Sequence, residues 1–373
     1  MTGSAHPLFI GSEIYRGSSY GRWHPLAVPR VPQVIDLCRA LGWLPREEYR
    51  TSPRAKAEAL TVWHTPEYIA ALQRAEATQT VTETDRTRHH LGTTANPVYG
   101  EMFRRPATGA GGGFLAADLL REGGVVHSPG GGTHHGMPDR ANGFCFLNDP
   151  VLAILALRAA GCGRVAYVDI DAHHGDGVEH AFRNDAAVLV ISVHEENRWP
   201  RTGALDDRGC GNVFNLPVPR GFNDTEMAEV RERLIVEQIT RHRPDAVVLQ
   251  CGADALLEDP MSRLALSNNA HLGVVHALRP LSPRFLVLGG GGYNPWTVGR
   301  VWTRVWGELS GRAIPERLPE PAQAVMRGLA WTGLRARRPV APHWITTLAD
   351  PARPGPVRAE VTERLDQLSG VMV

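Results

Sequence analysis

At 373 residues the chain exceeds the usual single-domain size, but large α/β units run equally long, so length leaves one or two domains open. A net charge of +1 with no dense basic stretch lacks the electrostatic footprint of sequence-independent nucleic-acid binding, so nucleic acid is not expected as a partner. Lys56 is the only lysine and sits in Arg54-Ala55-Lys56-Ala57-Glu58, which matches neither a Walker A loop nor a kinase β3 strand and argues against ATP-driven phosphoryl transfer.

The five cysteines, Cys38, Cys145, Cys162, Cys210 and Cys251, are odd in number and form no C-x-x-C, which argues against a disulfide framework or a thiolate zinc site and fits a reducing cytoplasm. Residues 1–7 have no charged region followed by an apolar one, and no apolar run is long enough for a bilayer, so no membrane partner is expected.

In chain order, Pro32 opens a helical pattern through Val34, Ile35, Leu37, Cys38 and Leu41. Short β-branched runs then predict strands over 125–128, 164–171, 187–194, 245–251 and 285–288, and spacings of three and four predict helices over 149–160, 225–241 and 268–278. This alternation predicts an α/β fold with a mostly parallel central sheet flanked by helices. The functional residues span 134–293 and must converge, so the chain reads as one domain, with 311–373 a peripheral C-terminal extension. Its proline-rich stretch, 312–342, reads as outer wrapping, and the helix over 357–368 carries no functional signal. Gly109 to Gly113 miss the dinucleotide pattern because Phe114 stands where glycine is required.

Open parallel sheets bind ligands beyond the carboxyl ends of their strands, and here polar clusters follow the strands. His134 and His135 follow the first, Asp169 to Asp176 the second, Asp254 the fourth and Tyr293 the fifth. In an extended strand Asp169, Asp171 and His173, at i, i+2 and i+4, share one face. Asp171 and His173 supply two metal ligands and Asp254 a third, leaving a position open as catalytic zinc requires; the donor types also suit Fe(II) or Co(II). Asp169 is expected behind one of His134 and His135, and Asp176 behind the other, as carboxylates that orient imidazoles for proton transfer. His174, His180 and His194 are expected to be hydrogen-bonded loop or cap residues.

These segments resemble the histone deacetylase family, including bacterial histone-deacetylase-like and acetoin-utilisation-type amidohydrolases. The matches are Pro129 to Gly136, Gly143 to Asp149, Tyr167 to Gly177, Gly252 to Asp254, Asp259 to Met261 and Leu288 to Tyr293; with His24-Pro25 and Arg30 the resemblance covers about 20–310. It implies an arginase-like fold and zinc-dependent deacetylation of acetylated lysine side chains or a similar small acylated amine. By that match Asp171, His173 and Asp254 hold zinc, His135 is general base and acid, His134 is its electrostatic partner, and Tyr293 stabilises the oxyanion. A substrate tunnel is implied between Gly143 and Phe144 on one wall and Trp199 on the other, with Met261 at a gatekeeper position that is Glu in some polyamine-specific relatives. A potassium ion is implied near Asp169, Asp171, His173, Ser192 and Val193. Where many relatives carry an acidic peptide anchor this chain has Thr94 and Ala95, which puts peptide anchoring in question.

Three other readings remain at this point. Acetylpolyamine amidohydrolysis is the nearest, weakly favoured by Trp199. An arginase-like ureohydrolase would want more carboxylates bridging two metals, and a binding module for acylated ligands would not need both histidine–carboxylate pairs and Tyr293. The chain does not declare its oligomeric state, and a homo-oligomer is allowed.

Overall fold

The structure is a computed structural model that describes residues 6–331 and 339–369. Residues 1–5 of the N-terminal leader reading and 332–338 of the proline-rich stretch lie outside the described residues. Among the described residues eight strands form, mostly from apolar runs bounded by glycine, proline and polar turns: β1 (Leu8–Gly11), β2 (Tyr49–Thr51), β3 (Gly124–Ser128), β4 (Val165–Asp169), β5 (Val188–Glu195), β6 (Val213–Val218), β7 (Ala246–Gln250) and β8 (Arg284–Leu288). They form one sheet in the order β2-β1-β3-β8-β7-β4-β5-β6, and every pair is parallel. The expected α/β architecture is therefore present, wholly rather than mostly parallel.

Alternation along the strands divides the apolar side chains between two layers. Ala166, Val168 and Ile170 pack with helices Val31–Ala40, Asn268–Leu278 and Pro295–Leu309, while Val165 and Tyr167 pack with Asp149–Ala159 and the end of Arg104–Leu119. Covering both faces explains why the central strands are continuously apolar.

Several boundaries differ from expectation. β1, β2 and β6 were not foreseen: the first two are three or four residues long, too short to express a period. Gly109 to Gly113 lie inside helix Arg104–Leu119, where a Cβ on Gly111 would come within 1.9 Å of the Pro53 carbonyl oxygen, so small residues let this helix seat closely. The pattern over 225–241 forms one continuous helical stretch from Asp224 to His242 that includes a π-helical segment, Arg231–Val236.

The strand expected over 164–171 ends at Asp169. Asp171 and His173 therefore do not converge by strand alternation. Instead the chain bends sharply beyond the sheet, with the Asp171 N–H donating to Asp169 Oδ1 at 3.0 Å and the His173 N–H to Asp171 Oδ1 at 3.0 Å.

The segment after residue 311 is more deeply engaged than an outer wrapping. Leu318, Ala322, Met326, Trp344, Leu348, Val361, Leu365 and Leu368 all join the larger core layer. The fully buried Arg300 guanidinium pairs with Asp350, locking this segment to helix Pro295–Leu309. Among the described residues no helix is long and apolar enough to cross a membrane.

Candidate active site

The strands β3, β8, β7 and β4 are consecutive neighbours in the sheet, and each releases one site segment at its carboxyl end. Residues scattered over 160 positions of sequence thus meet because their strands lie side by side. β7 supplies Asp254, β4 supplies Asp171 and His173, β3 leads to His134 and His135, and β8 leads to Tyr293.

Asp171, His173 and Asp254 are buried, with donor atoms all within 4.8 Å of one another. His173 Nδ1 lies 3.2 Å from Asp171 Oδ1 and 3.0 Å from Asp254 Oδ2. Backbone donors orient both carboxylates: the Gly291 N–H meets Asp171 Oδ2 at 2.6 Å and the Ala172 N–H meets Asp254 Oδ1 at 2.9 Å. Glycine is required around this cradle, since a Cβ on Gly291 would lie 1.9 Å from Asp254 Oδ2 and one on Gly252 2.1 Å from Asp171 Oδ2.

Burial opposes a charged His173, yet Asp254 and Asp171 outweigh it and raise the imidazole to about 10. Burial likewise opposes ionised Asp171, but His134, His173 and the Gly291 N–H hold it well below the usual carboxylate range. Two buried carboxylates around one imidazole thus call for positive charge, and their nitrogen and oxygen donors fit a divalent cation.

Behind the cradle His134 Nδ1 lies 2.7 Å from Asp169 Oδ2, which also accepts from the Tyr167 hydroxyl at 2.7 Å. His135 Nδ1 lies 2.7 Å from Asp176 Oδ1, while Asn142 Nδ2 donates to the other carboxylate oxygen at 3.0 Å. Asp169 therefore backs His134 and Asp176 backs His135. The two rings are 3.9 Å apart between centroids, too close to carry charge independently. Burial opposes the imidazolium at both. At His134 the carboxylates of Asp169 and Asp171 prevail and raise it to about 9, whereas at His135 burial and the neighbouring His134 charge outweigh Asp176 and lower it to about 4. The pair is thus polarised, His134 toward the cation and His135 toward the free base.

Tyr293 is fixed through its backbone N–H, which donates to Asp259 Oδ2 at 2.7 Å. Burial, then Asp254 and Asp171, push its phenol well above the ordinary value, so it remains a donor, and its hydroxyl has no hydrogen-bond partner among the described residues. His135, His173 and Tyr293 line both an inner cavity of about 60 Å³, which also reaches Arg30, and an outer one of about 630 Å³.

Gly143, Phe144, Trp199 and Met261 all line the outer cavity. The Trp199 ring stands edge-on to His135, with centroids 4.7 Å apart at 78°, and Phe144 is 6.1 Å from Tyr293. Gly143 has φ +52, and a Cβ there would strike Trp199 at 2.1 Å. Of the residues implied for potassium, Asp169 and Ser192 are register partners on β4 and β5, and Val193 follows on β5. His174 bonds Glu179 Oε2 at 2.9 Å and Thr202 Oγ1 at 2.8 Å, and His194 bonds Ser192 Oγ at 3.0 Å and the Gly203 carbonyl at 3.1 Å; both are structural, and His180 is exposed.

Sequence reasoning gave no role to several supporting groups. Asp149 accepts the Gly132 and Thr133 N–H groups at 2.8 Å each, and Asn148 Nδ2 donates to the His134 and Gly136 carbonyls at 3.1 and 3.0 Å, fixing the turn that presents both histidines. Asp259 joins the Tyr293 and Met261 backbones. Asn148, Asp149 and Asp259 stood inside the recognised motifs; their polar character in apolar surroundings was the available signal.

The Histone deacetylase domain family matches residues 24–309. The acetoin utilization protein AcuC of Bacillus subtilis is 33% identical over 318 residues, 82% of each chain. Histone deacetylase RPD3 of Saccharomyces cerevisiae is 34% identical over 310 residues, 81% of this chain and 71% of that one. The crystal structure of an HDAC homolog from Aquifex aeolicus superposes with a TM-score of 0.93 at 35% identity, covering 98% of this chain and all of that one, and an HDAC homolog complexed with SAHA superposes at 0.92. With the matched family spanning most of the chain and the same fold recurring at this identity, the chain belongs to the histone deacetylase family.

Proposed function

We propose that this protein hydrolyses the amide of a linear acylated primary amine, an acetylated lysine side chain or a similar small molecule, releasing acetate. The observation that carries this reading is that His135, held through Nδ1 by Asp176, and the unpartnered Tyr293 hydroxyl line one cavity with His173 of the Asp171-His173-Asp254 cradle. Zinc held by that cradle would supply Lewis acidity toward the amide carbonyl.

The chain's own groups provide the remainder. With Nδ1 engaged by Asp176, His135 offers Nε2 to take a proton from the attacking water and deliver it to the departing amine. Asp176 steadies the imidazolium while it exists. His134, biased toward the cation by Asp169, adds positive potential where negative charge grows. The Tyr293 hydroxyl donates to the carbonyl oxygen as it becomes an oxyanion, and Trp199 and Phe144 flank the substrate's alkyl linker and keep water away. Potassium is proposed where β4 and β5 run together at Asp169 and Ser192, with the register pairing as support.

Acetylpolyamine hydrolysis is the second reading, supported by Trp199 and by Ala95 in place of an acidic peptide anchor, and opposed by Met261 where a carboxylate would draw an ammonium. The test is acetate release from an acetylated lysine peptide and an acetylpolyamine by zinc-loaded protein, with and without chelator. Chelator-sensitive turnover is expected, and no turnover of any acyl amide would refute the proposal.

A further inference from the structure

The outer cavity has an uneven charge. None of its lining residues is Asp or Glu, while Arg198 and Arg201 line it together with Ala95, Trp199 and Met261. The two guanidiniums are not equivalent. Arg198 is committed to Glu195, with Nε and Nη2 each 2.8 Å from a carboxylate oxygen. Arg201 is exposed and has no ion-pair or side-chain hydrogen-bond partner among the described residues.

The backbone that carries Arg201 is held on both sides. Its N–H donates to the Arg198 carbonyl at 2.7 Å, Thr202 Oγ1 is bound to His174 at 2.8 Å, and the Gly203 carbonyl to His194 at 3.1 Å. Arg201 itself has φ +65, a conformation disfavoured for a residue with a Cβ and kept here by these contacts. A rigid root thus places Arg201 on the wall between the cavity that reaches His135, His173 and Tyr293 and a neighbouring one lined by Glu195, Glu196 and Asp207, with no carboxylate among the described residues close enough to pair with its guanidinium.

From this we propose that the enzyme selects acylated amines that carry a carboxylate beyond the alkyl linker, with Arg201 as the specificity-determining residue. The proposal rests on the deacetylase reading above and names its substrate class. A carboxylate matches the planar guanidinium in shape and charge, whereas a distal ammonium finds no carboxylate among the lining residues and is repelled by Arg201. The small acylated amino acid is the favoured form, because one free carboxylate suffices to engage Arg201.

The test compares three substrates of equal length: 6-acetamidohexanoate, its primary amide, and N-acetyl-1,6-diaminohexane. Acetate release by zinc-loaded protein should give kcat/KM in the order anion, neutral, cation, mainly through KM. The anion should exceed the amide by roughly tenfold, between the effects of an exposed ion pair and a buried charged hydrogen bond, and the ratio should shrink in high salt. Arg201→Gln should bring it toward unity, Arg201→Lys should retain most of it, and Arg201→Glu should invert the order. Faster turnover of a glutamate-flanked acetyl-lysine peptide would keep the anion preference and place the carboxylate on a protein.

Equal or reversed rates in the parent protein, or a full ratio surviving in R201Q, would overturn the proposal while leaving deacetylation intact. Failure on every substrate would instead strike the deacetylase reading itself.

Discussion

Tyr293→Phe separates catalysis from architecture in this site. The change removes one oxygen that has no hydrogen-bond partner among the described residues, and it leaves the backbone bond to Asp259 and the ring contact with Phe144 in place. No buried group loses a partner, so stability should change by less than about 0.5 kcal/mol. The hydroxyl's contribution arises only as the carbonyl oxygen gains charge, and loss of one such donor costs about 10²–10³ in kcat, equivalent to about 3–4 kcal/mol. KM should move little. Steady-state acetate release together with thermal denaturation measures both quantities. A kcat within fivefold of the parent, at unchanged melting temperature, would refute the assignment of Tyr293 to the oxyanion.

Four further outcomes are expected. Gly291→Ala should retain the fold but lose divalent metal on dialysis, because the added methyl meets Asp254 Oδ2 at 1.9 Å; one ion per chain by elemental analysis would contradict the cradle. Asp254→Ala should do the same. Asp176→Asn should keep its metal and lose about 10²-fold in kcat, since His135 loses the carboxylate that fixes its tautomer, and undiminished turnover would remove His135 from the proton path. Acid should destabilise the fold through His64 and His127, which burial lowers to about 4. A histidine depressed in the folded state contributes fully above its ordinary pKa of about 6.5 and loses that contribution as pH falls toward 4, about 3 kcal/mol each and about 2 of it by pH 5. Denaturant midpoints at pH 7.5 and 5 should converge in His64→Gln, and an unaltered pH dependence would sink this account.

The central strands were legible because parallel strands covered on both faces write continuous β-branched runs, as in Ala246-Val247-Val248-Leu249. The candidate ligands were legible because Asp171 and His173 lie close in sequence directly beyond such a run. The bend that unites them was not, since it depends on hydrogen bonds from Asp171 and His173 N–H groups to carboxylates two residues earlier, a geometry that i, i+2 spacing shares with a strand. β1 and β2 escaped because three or four residues cannot express a period. The depth of the C-terminal segment was hidden too: Pro-rich composition suggested a surface path, while Trp344, on the short helix Pro342–Thr346, and Leu348 just beyond it reach the core. Arg201 stood beside the noted Trp199 without a role, because its lack of a partner is a three-dimensional fact.

Chain order and sheet order disagree in a way that bears on biosynthesis. β1 to β3 form one ribbon and β4 to β6 another, and the last two strands, β7 and β8, slot between them. A nascent polypeptide that has emerged only to residue 240 therefore holds two separate half-sheets and no route for joining them. The final wedge both closes the sheet and delivers Asp254 and Tyr293. Truncated products are consequently inert by construction, and hydrolytic competence arises as a late event in maturation.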